Sequence, residues 1–239
     1  MSQQHTRLDI KYHLLISFTG LLLILLLTAF PPTVTGDAPW RKPVVGSIFS
    51  IICILGVSAV FLPNKCLGIL NVEKKNNTTS DSSNPALHGK SNTLQGHHPT
   101  CGNYDAHIAR INGKIVCAAC TGLLLGGILA LALASIYFFG GWNVTEHSCL
   151  LVWLGVVGII FALFQFKFRS NFRLVMNTIF VLGALLVLIG IDDLVRSLVF
   201  DLFVVSLVLF WLYTRISLSQ WDHEVICSGC DIENCEVRE

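Results

Sequence analysis

Charge is what this sequence has least of. Asp, Glu, Lys and Arg together make up 13% of its 239 residues, about half of the roughly 25% usual in a soluble domain. A large soluble core does not remove so many charges, so a soluble globular chain is excluded. A surplus of one sign is missing too. Sixteen basic and fifteen acidic residues leave a formal net charge of +1, which offers no field for nucleic acid or an acidic partner. No glycine-rich phosphate loop, protease signature or nucleophile–His–acid arrangement is visible, so no enzyme class is indicated. The apolar/polar alternation of an outer-membrane barrel is also absent.

Apolar residues fill the space. They account for 53% of the chain, and mean hydropathy is +0.67. Six runs stand out: His13–Phe30, Val44–Leu62, Thr121–Phe139, Leu150–Phe166, Leu174–Ile191 and Ser197–Tyr213, each 17 to 19 residues long. Crossing a hydrocarbon core about 30 Å thick takes roughly 17–25 residues as a helix. In lipid each segment must satisfy its own backbone, which selects helices. The fold expected is therefore an all-α integral membrane protein of about six transmembrane helices, with short cytoplasmic Cys/His-rich elements and the lipid bilayer as its first partner. The first run follows Arg7 and Lys11 as a signal peptide would. It is longer than a signal core, however, and leads into Pro31-Pro32 rather than a small-x-small cleavage site, so it is read as a retained helix.

The few basic residues orient the chain. With a cytoplasmic N-terminus, thirteen of the sixteen fall inside: Arg7 and Lys11; Lys65, Lys74, Lys75, Lys90, Arg110 and Lys114; Lys167, Arg169 and Arg173; Arg215 and Arg238. Only Arg41, Lys42 and Arg196 fall outside. That bias follows the positive-inside rule and places both chain ends in the cytoplasm of a protein of the cell membrane. Asn143-Val-Thr145 is then the one Asn-x-Thr site facing outward.

Five stretches follow. Residues 1–66 form a two-helix membrane segment. Residues 67–95 are a polar linker rich in Asn, Ser, Thr and Lys, with too few apolar residues to fold alone. Residues 96–120 are a Cys/His-rich element, residues 121–215 a four-helix membrane segment, and residues 216–239 a Cys-rich tail. Within 96–120, Asn112-Gly113 between Arg110-Ile111 and Lys114-Ile-Val116 predicts a short hairpin. Gly122, Gly126, Ala130 and Ala134 recur every four residues and form a stripe on which another helix can pack closely.

Six of the nine cysteines fall into two clusters. The first is His97-His98-Pro-Thr-Cys101, then His107, then Cys117-Ala-Ala-Cys120. The second is His223, Cys227, Cys230 and Cys235. Each joins a C-x-x-C pair to a third Cys and a nearby His, the residue set of a tetrahedral Cys3His zinc site. Thiols in the cytosol stay reduced, so clusters there point to metal or redox chemistry more than to structural disulfides. For the fourth ligand of the first cluster, His107 is preferred over His98 and His97, because the hairpin folds it back toward the C-x-x-C pair. One site built from both clusters is a further arrangement. Cys53, Cys66 and Cys149 stand alone and read as small apolar residues.

Within residues 98–122, the run Cys101, Tyr104, His107, Gly113-Lys114 and Cys117-Ala-Ala-Cys120-Thr121-Gly122 resembles uncharacterised archaeal polytopic membrane proteins. More distantly, it is similar to a prokaryotic membrane family of unknown function with a Cys-His pair before C-x-R-C-T-G. Ala119 stands where that distant family has Arg. The resemblance covers about 25 of the 239 residues. It implies a site at the helix start and brings no activity with it.

Polar residues inside the runs complete the picture. Asp192 and Arg196 have the i,i+4 spacing of a local ion pair. Asp201 lies inside the sixth run, close enough to its outer end to snorkel; a carboxylate there is also a candidate functional residue. Gln165 and Asn177 are placed near headgroups or neighbouring helices.

Three functions are compatible with these residues. The first is a multi-pass protein whose cytoplasmic zinc-type sites brace helix ends or bind a partner, either another protein or a second copy of the chain. The second is a membrane thiol-disulfide oxidoreductase using Cys117 and Cys120, at a helix start that favours a thiolate. The third is a small transporter or sensor, resting on Asp201. The first is preferred, with zinc as the cofactor.

Overall fold

The computed structural model describes residues 2–32, 38–61, 106–111, 114–165 and 170–229; the linker of residues 67–95 lies outside them. The fold is all-α, and the described residues include six helices long and apolar enough to cross a membrane. In order these are α1 (Ser2–Ala29), α2 (Arg41–Phe61), a hairpin of β1 (Ile108–Ile111) and β2 (Lys114–Cys117), then α3 (Ala118–Ala134), α4 (Ser148–Leu163), α5 (Ser170–Val195) and α6 (Leu198–Ser228). A π-helical turn, Ser135–Phe139, extends α3, and a 3-10 turn, Thr145–His147, leads into α4.

Each expected run lies largely within one observed helix. The clearest difference is at the chain's end, where α6 continues past Tyr213 to Ser228. Hydropathy marks where a helix leaves apolar surroundings. It does not mark where the backbone stops being helical, and Ser217, Ser219 and Asp222 are tolerated in a helix beyond the membrane. At 1.5 Å per residue, these 31 residues reach about 46 Å, well beyond a 30 Å core.

The hub of the bundle is α5. Within its membrane window 61% of residues are buried, against 22% for the peripheral α1. The stripe on α3 is used as expected: Gly122 and Gly126 lie against α5, and a Cβ at Gly122 would come within 2.3 Å of the Leu174 carbonyl oxygen. Thr178 Oγ1 donates across this contact to the Gly122 carbonyl at 3.0 Å. On the other side of α5, Gly155 of α4 meets Gly183, where a Cβ at Gly155 would be 2.5 Å from the Gly183 carbonyl oxygen. With no hydrophobic drive between helices in lipid, such backbone approach supplies the packing. α1 runs along α6, with the Ser17 and Thr214 hydroxyls 3.0 Å apart and Trp211 Nε1 donating to the Ser17 carbonyl at 3.3 Å.

The hairpin forms where Asn-Gly predicts it. Ile108 pairs with Cys117 and Ile111 with Lys114, leaving Asn112-Gly113 as the two residues between the strands. β2 passes straight into α3. The start of α1, the end of α2, the start of α3, the end of α4, the start of α5 and the end of α6 share the hairpin end of the bundle. Arg41, Lys42 and Arg196 sit at the far end.

Candidate functional site

The hairpin brings His107 to the start of α3, where its carbonyl accepts from Ala118 N–H at 2.9 Å. Cys117 precedes the helix in extended conformation and makes no side-chain cap. Its thiol and that of Cys120 are buried, unoxidised, and packed against Val60 at the end of α2. The two side chains share one small buried cluster with Val60.

The ring of His107, 3% exposed, turns toward α5 and α6. Arg173 Nη1 lies 2.7 Å from its Nδ1 and 3.1 Å from its Nε2. Asp222 Oδ2 accepts from Arg173 Nη2 at 3.0 Å and lies 3.4 Å from His107 Nε2. The ring of His223 stands 5.0 Å from that of His107, centre to centre. One histidine from each sequence cluster therefore meets the other, because α6 outlasts the membrane and carries His223 up to the hairpin.

The network runs deeper. Asn177 Nδ2 donates to the Arg173 carbonyl at 2.7 Å. Its Oδ1 accepts from Arg215 Nε at 2.5 Å and also from Arg215 Nη2. Gln165 Oε1, at the end of α4, accepts from Arg215 Nη2 at 3.4 Å. Gln165 and Asn177 thus meet a neighbouring helix rather than headgroups. Arg215, read from sequence as a residue beyond the last span, is 3% exposed inside the bundle.

Of the expected site residues, the structure assembles His107 with His223, and Cys117 with Cys120. Cys227 belongs to α6. His97, His98, Cys101, Cys230 and Cys235 lie outside the described residues. Among the described residues, no three His, Cys, Asp or Glu side chains are grouped as a metal site. Arg173 and Asp222 are partners that the Cys/His pattern gives no reason to single out. Their signal was position: a basic residue opening α5 and an acidic one beside His223.

The far end holds a second polar cluster. Arg41, opening α2, donates from Nη1 to Asp192 Oδ1 at 2.6 Å and to Asp201 Oδ2 at 2.5 Å. Tyr137, turned inward by the π-helical turn, donates to Asp192 Oδ2 at 2.6 Å. Lys42 Nζ lies 3.8 Å from the same oxygen and 4.4 Å over the Tyr137 ring. Asp193 Oδ2 accepts from Ser148 at 2.6 Å.

This corrects two expectations. Asp192 pairs with Arg41, not with Arg196, whose φ of 53° takes it off the helical path that i,i+4 spacing assumes. Asp201 does not snorkel: it is fully buried and faces Arg41 across the bundle. A signal for both was present: Arg41, Lys42 and Arg196 fall outside, and Asp201 lies near the outer end of its run, so they share one side of the membrane. Comparison of the chain with protein-family models, curated proteins and solved structures found no match.

Proposed function

We propose that this chain is a multi-pass protein of the cell membrane in which its two Cys/His-rich segments contribute to one zinc-type centre on the cytoplasmic side, bracing the helix ends and presenting a surface to a partner. The observation that carries this reading is the 5.0 Å approach of His107 to His223, one ring from each segment. With Zn–N near 2.0–2.1 Å, two imidazoles on one tetrahedral ion have centres roughly 5 Å apart. One tetrahedral ion takes four ligands: His107, His223, Cys117 and Cys120 are the first candidates, with Cys227 on α6 and His98, Cys101, Cys230 and Cys235, outside the described residues, as the alternatives. Asp222 fits the role of the carboxylate that orients a ligating imidazole through its other nitrogen. Arg173 would have to release whichever His107 nitrogen takes the metal. Bound there, zinc would cross-link the loop before α3 to the end of α6 and supply no redox chemistry. The cytoplasmic placement rests on the thirteen-to-three bias of basic residues.

Metal analysis of the purified chain tests this. One zinc per chain is expected, lost alike in Cys117→Ser and in His223→Ala. Occupancy is expected to fall as pH drops, because thiolates must shed protons to bind. Two zinc ions lost independently would replace the shared centre with two. Metal-free protein carrying a reversible Cys117–Cys120 disulfide would replace it with the oxidoreductase. A reporter active only in the cytoplasm, fused after Glu239, tests the orientation.

A further inference from the structure

Arg173 stands where a metal on His107 would have to go. A guanidinium carries hydrogen-bond donors and no acceptor, and a neutral imidazole has one nitrogen with a lone pair to offer. Arg173 Nη1 lies 2.7 Å from Nδ1 of His107 and 3.1 Å from Nε2, so that lone pair faces the arginine whichever tautomer the ring adopts. A zinc ion needs the same lone pair. It would also meet a guanidinium that keeps its positive charge at any pH of interest. The two cannot hold the ring together.

Two neighbours give the arginine somewhere to turn. Asp222 Oδ2 accepts from Nη2 at 3.0 Å, which anchors the guanidinium to α6 independently of His107. Beside it, Arg173 lines a recess of about 10 Å³ together with Gln165, Ser219 and Asp222, and Ala119 and Leu218 supply its apolar walls. That volume is about one water-sized sphere, the size of one guanidinium amino group. Gln165, Ser219 and Asp222 each bring an oxygen able to accept. Pivoting on Asp222, the arginine can exchange the imidazole for this recess and remain hydrogen-bonded. We infer that Arg173 is an internal competitor of the metal: it holds His107 in the absence of zinc and withdraws into the Gln165–Ser219–Asp222 recess when zinc binds. This rests on the reading of His107 and His223 as ligands of one ion. Metal uptake is then set by the arginine as well as by the ligands.

The test is the zinc affinity of the metal-stripped full chain in lipid nanodiscs, measured against a competing chelator. Arg173→Met removes the competitor, and binding about ten-fold tighter than the parent's is expected, the equivalent of one charge-assisted hydrogen bond. Arg173→Lys, which restores a cation and a donor, should bring the affinity back toward the parent's. An arginine that only supported the fold would give the opposite sign, weaker zinc in Arg173→Met. A second readout needs no variant to fold. In the parent, zinc should shift the side-chain Nε–H signal of Arg173 in nitrogen NMR and leave that of Arg41 in place. Equal or weaker zinc binding by folded Arg173→Met, or an Arg173 signal that bound zinc leaves unmoved, overturns the inference and leaves the zinc centre standing. Zinc absent from the parent and from Arg173→Met alike overturns the centre, and the inference with it. Zinc on Arg173→Met alone supports the competitor in its strongest form.

Discussion

At the far end of the bundle one guanidinium, Arg41, joins carboxylates from two other helices, while at the hairpin end Arg215 is held by the amide oxygens of Asn177 and Gln165, and Arg173 by an imidazole and one carboxylate. The far end is a set of charge–charge contacts in which removing the shared Arg41 strands two carboxylates in a dry place. The hairpin end relies on neutral or titratable acceptors that can change partners at lower cost. Charge locked by charge suits a permanent clasp. Arginines held by amides, an imidazole and one carboxylate can change partners more readily, and His107 meets His223 at that end.

The largest effect expected is that of Arg41→Met. It leaves Asp192 and Asp201 buried without their shared cation, and breaking a buried ion pair costs about 3–5 kcal/mol. Unfolding in mixed micelles should show this loss against the parent. Were Arg215→Met to destabilise equally, the contrast between the two ends would collapse.

Asp201→Asn sharpens the same comparison. It keeps the shape and an acceptor and leaves Arg41 its contact with Asp192, so a loss of about 1–3 kcal/mol is expected, below that of Arg41→Met. A negligible loss in the same assay would restore a solvent-reaching Asp201.

Arg173→Gln should cost about 0.5–1.5 kcal/mol globally, because one side of a hydrogen-bonded network can rearrange. Its signature is local: amide exchange across Ile108–Ile111 and Lys114–Cys117 should accelerate while that of the α5 centre stays unchanged. Uniform acceleration would show that the hairpin is not held separately. Ser17→Ala should be the mildest, about 0.6 kcal/mol, the average for a hydrogen bond between membrane helices. A loss as large as that of Arg173→Gln would move the weight of the polar contacts away from the ends and into the α1–α6 seam.

The sequence alone determined the class of the molecule, the number of its spans, the hairpin and the packing face of α3. Each of these is a local property. A run of about twenty apolar residues can satisfy its backbone in lipid only as a helix, Asn-Gly supports a tight turn by its own backbone freedom, and a four-residue repeat of small side chains lies on one side of its own helix. Only the tertiary structure decided which polar groups meet. Arg41 and Asp201 are 160 residues apart, and His107 and His223 are brought together by a helix that outruns its apolar segment. Periodicity assigns a residue to a face of its helix but not to the neighbour that face will meet. The local rule that would have paired Asp192 with Arg196 fails where the chain leaves the helix, at the left-handed Arg196. Long-range pairs form only when the helices dock, and in lipid a buried charge must then find its partners within the protein.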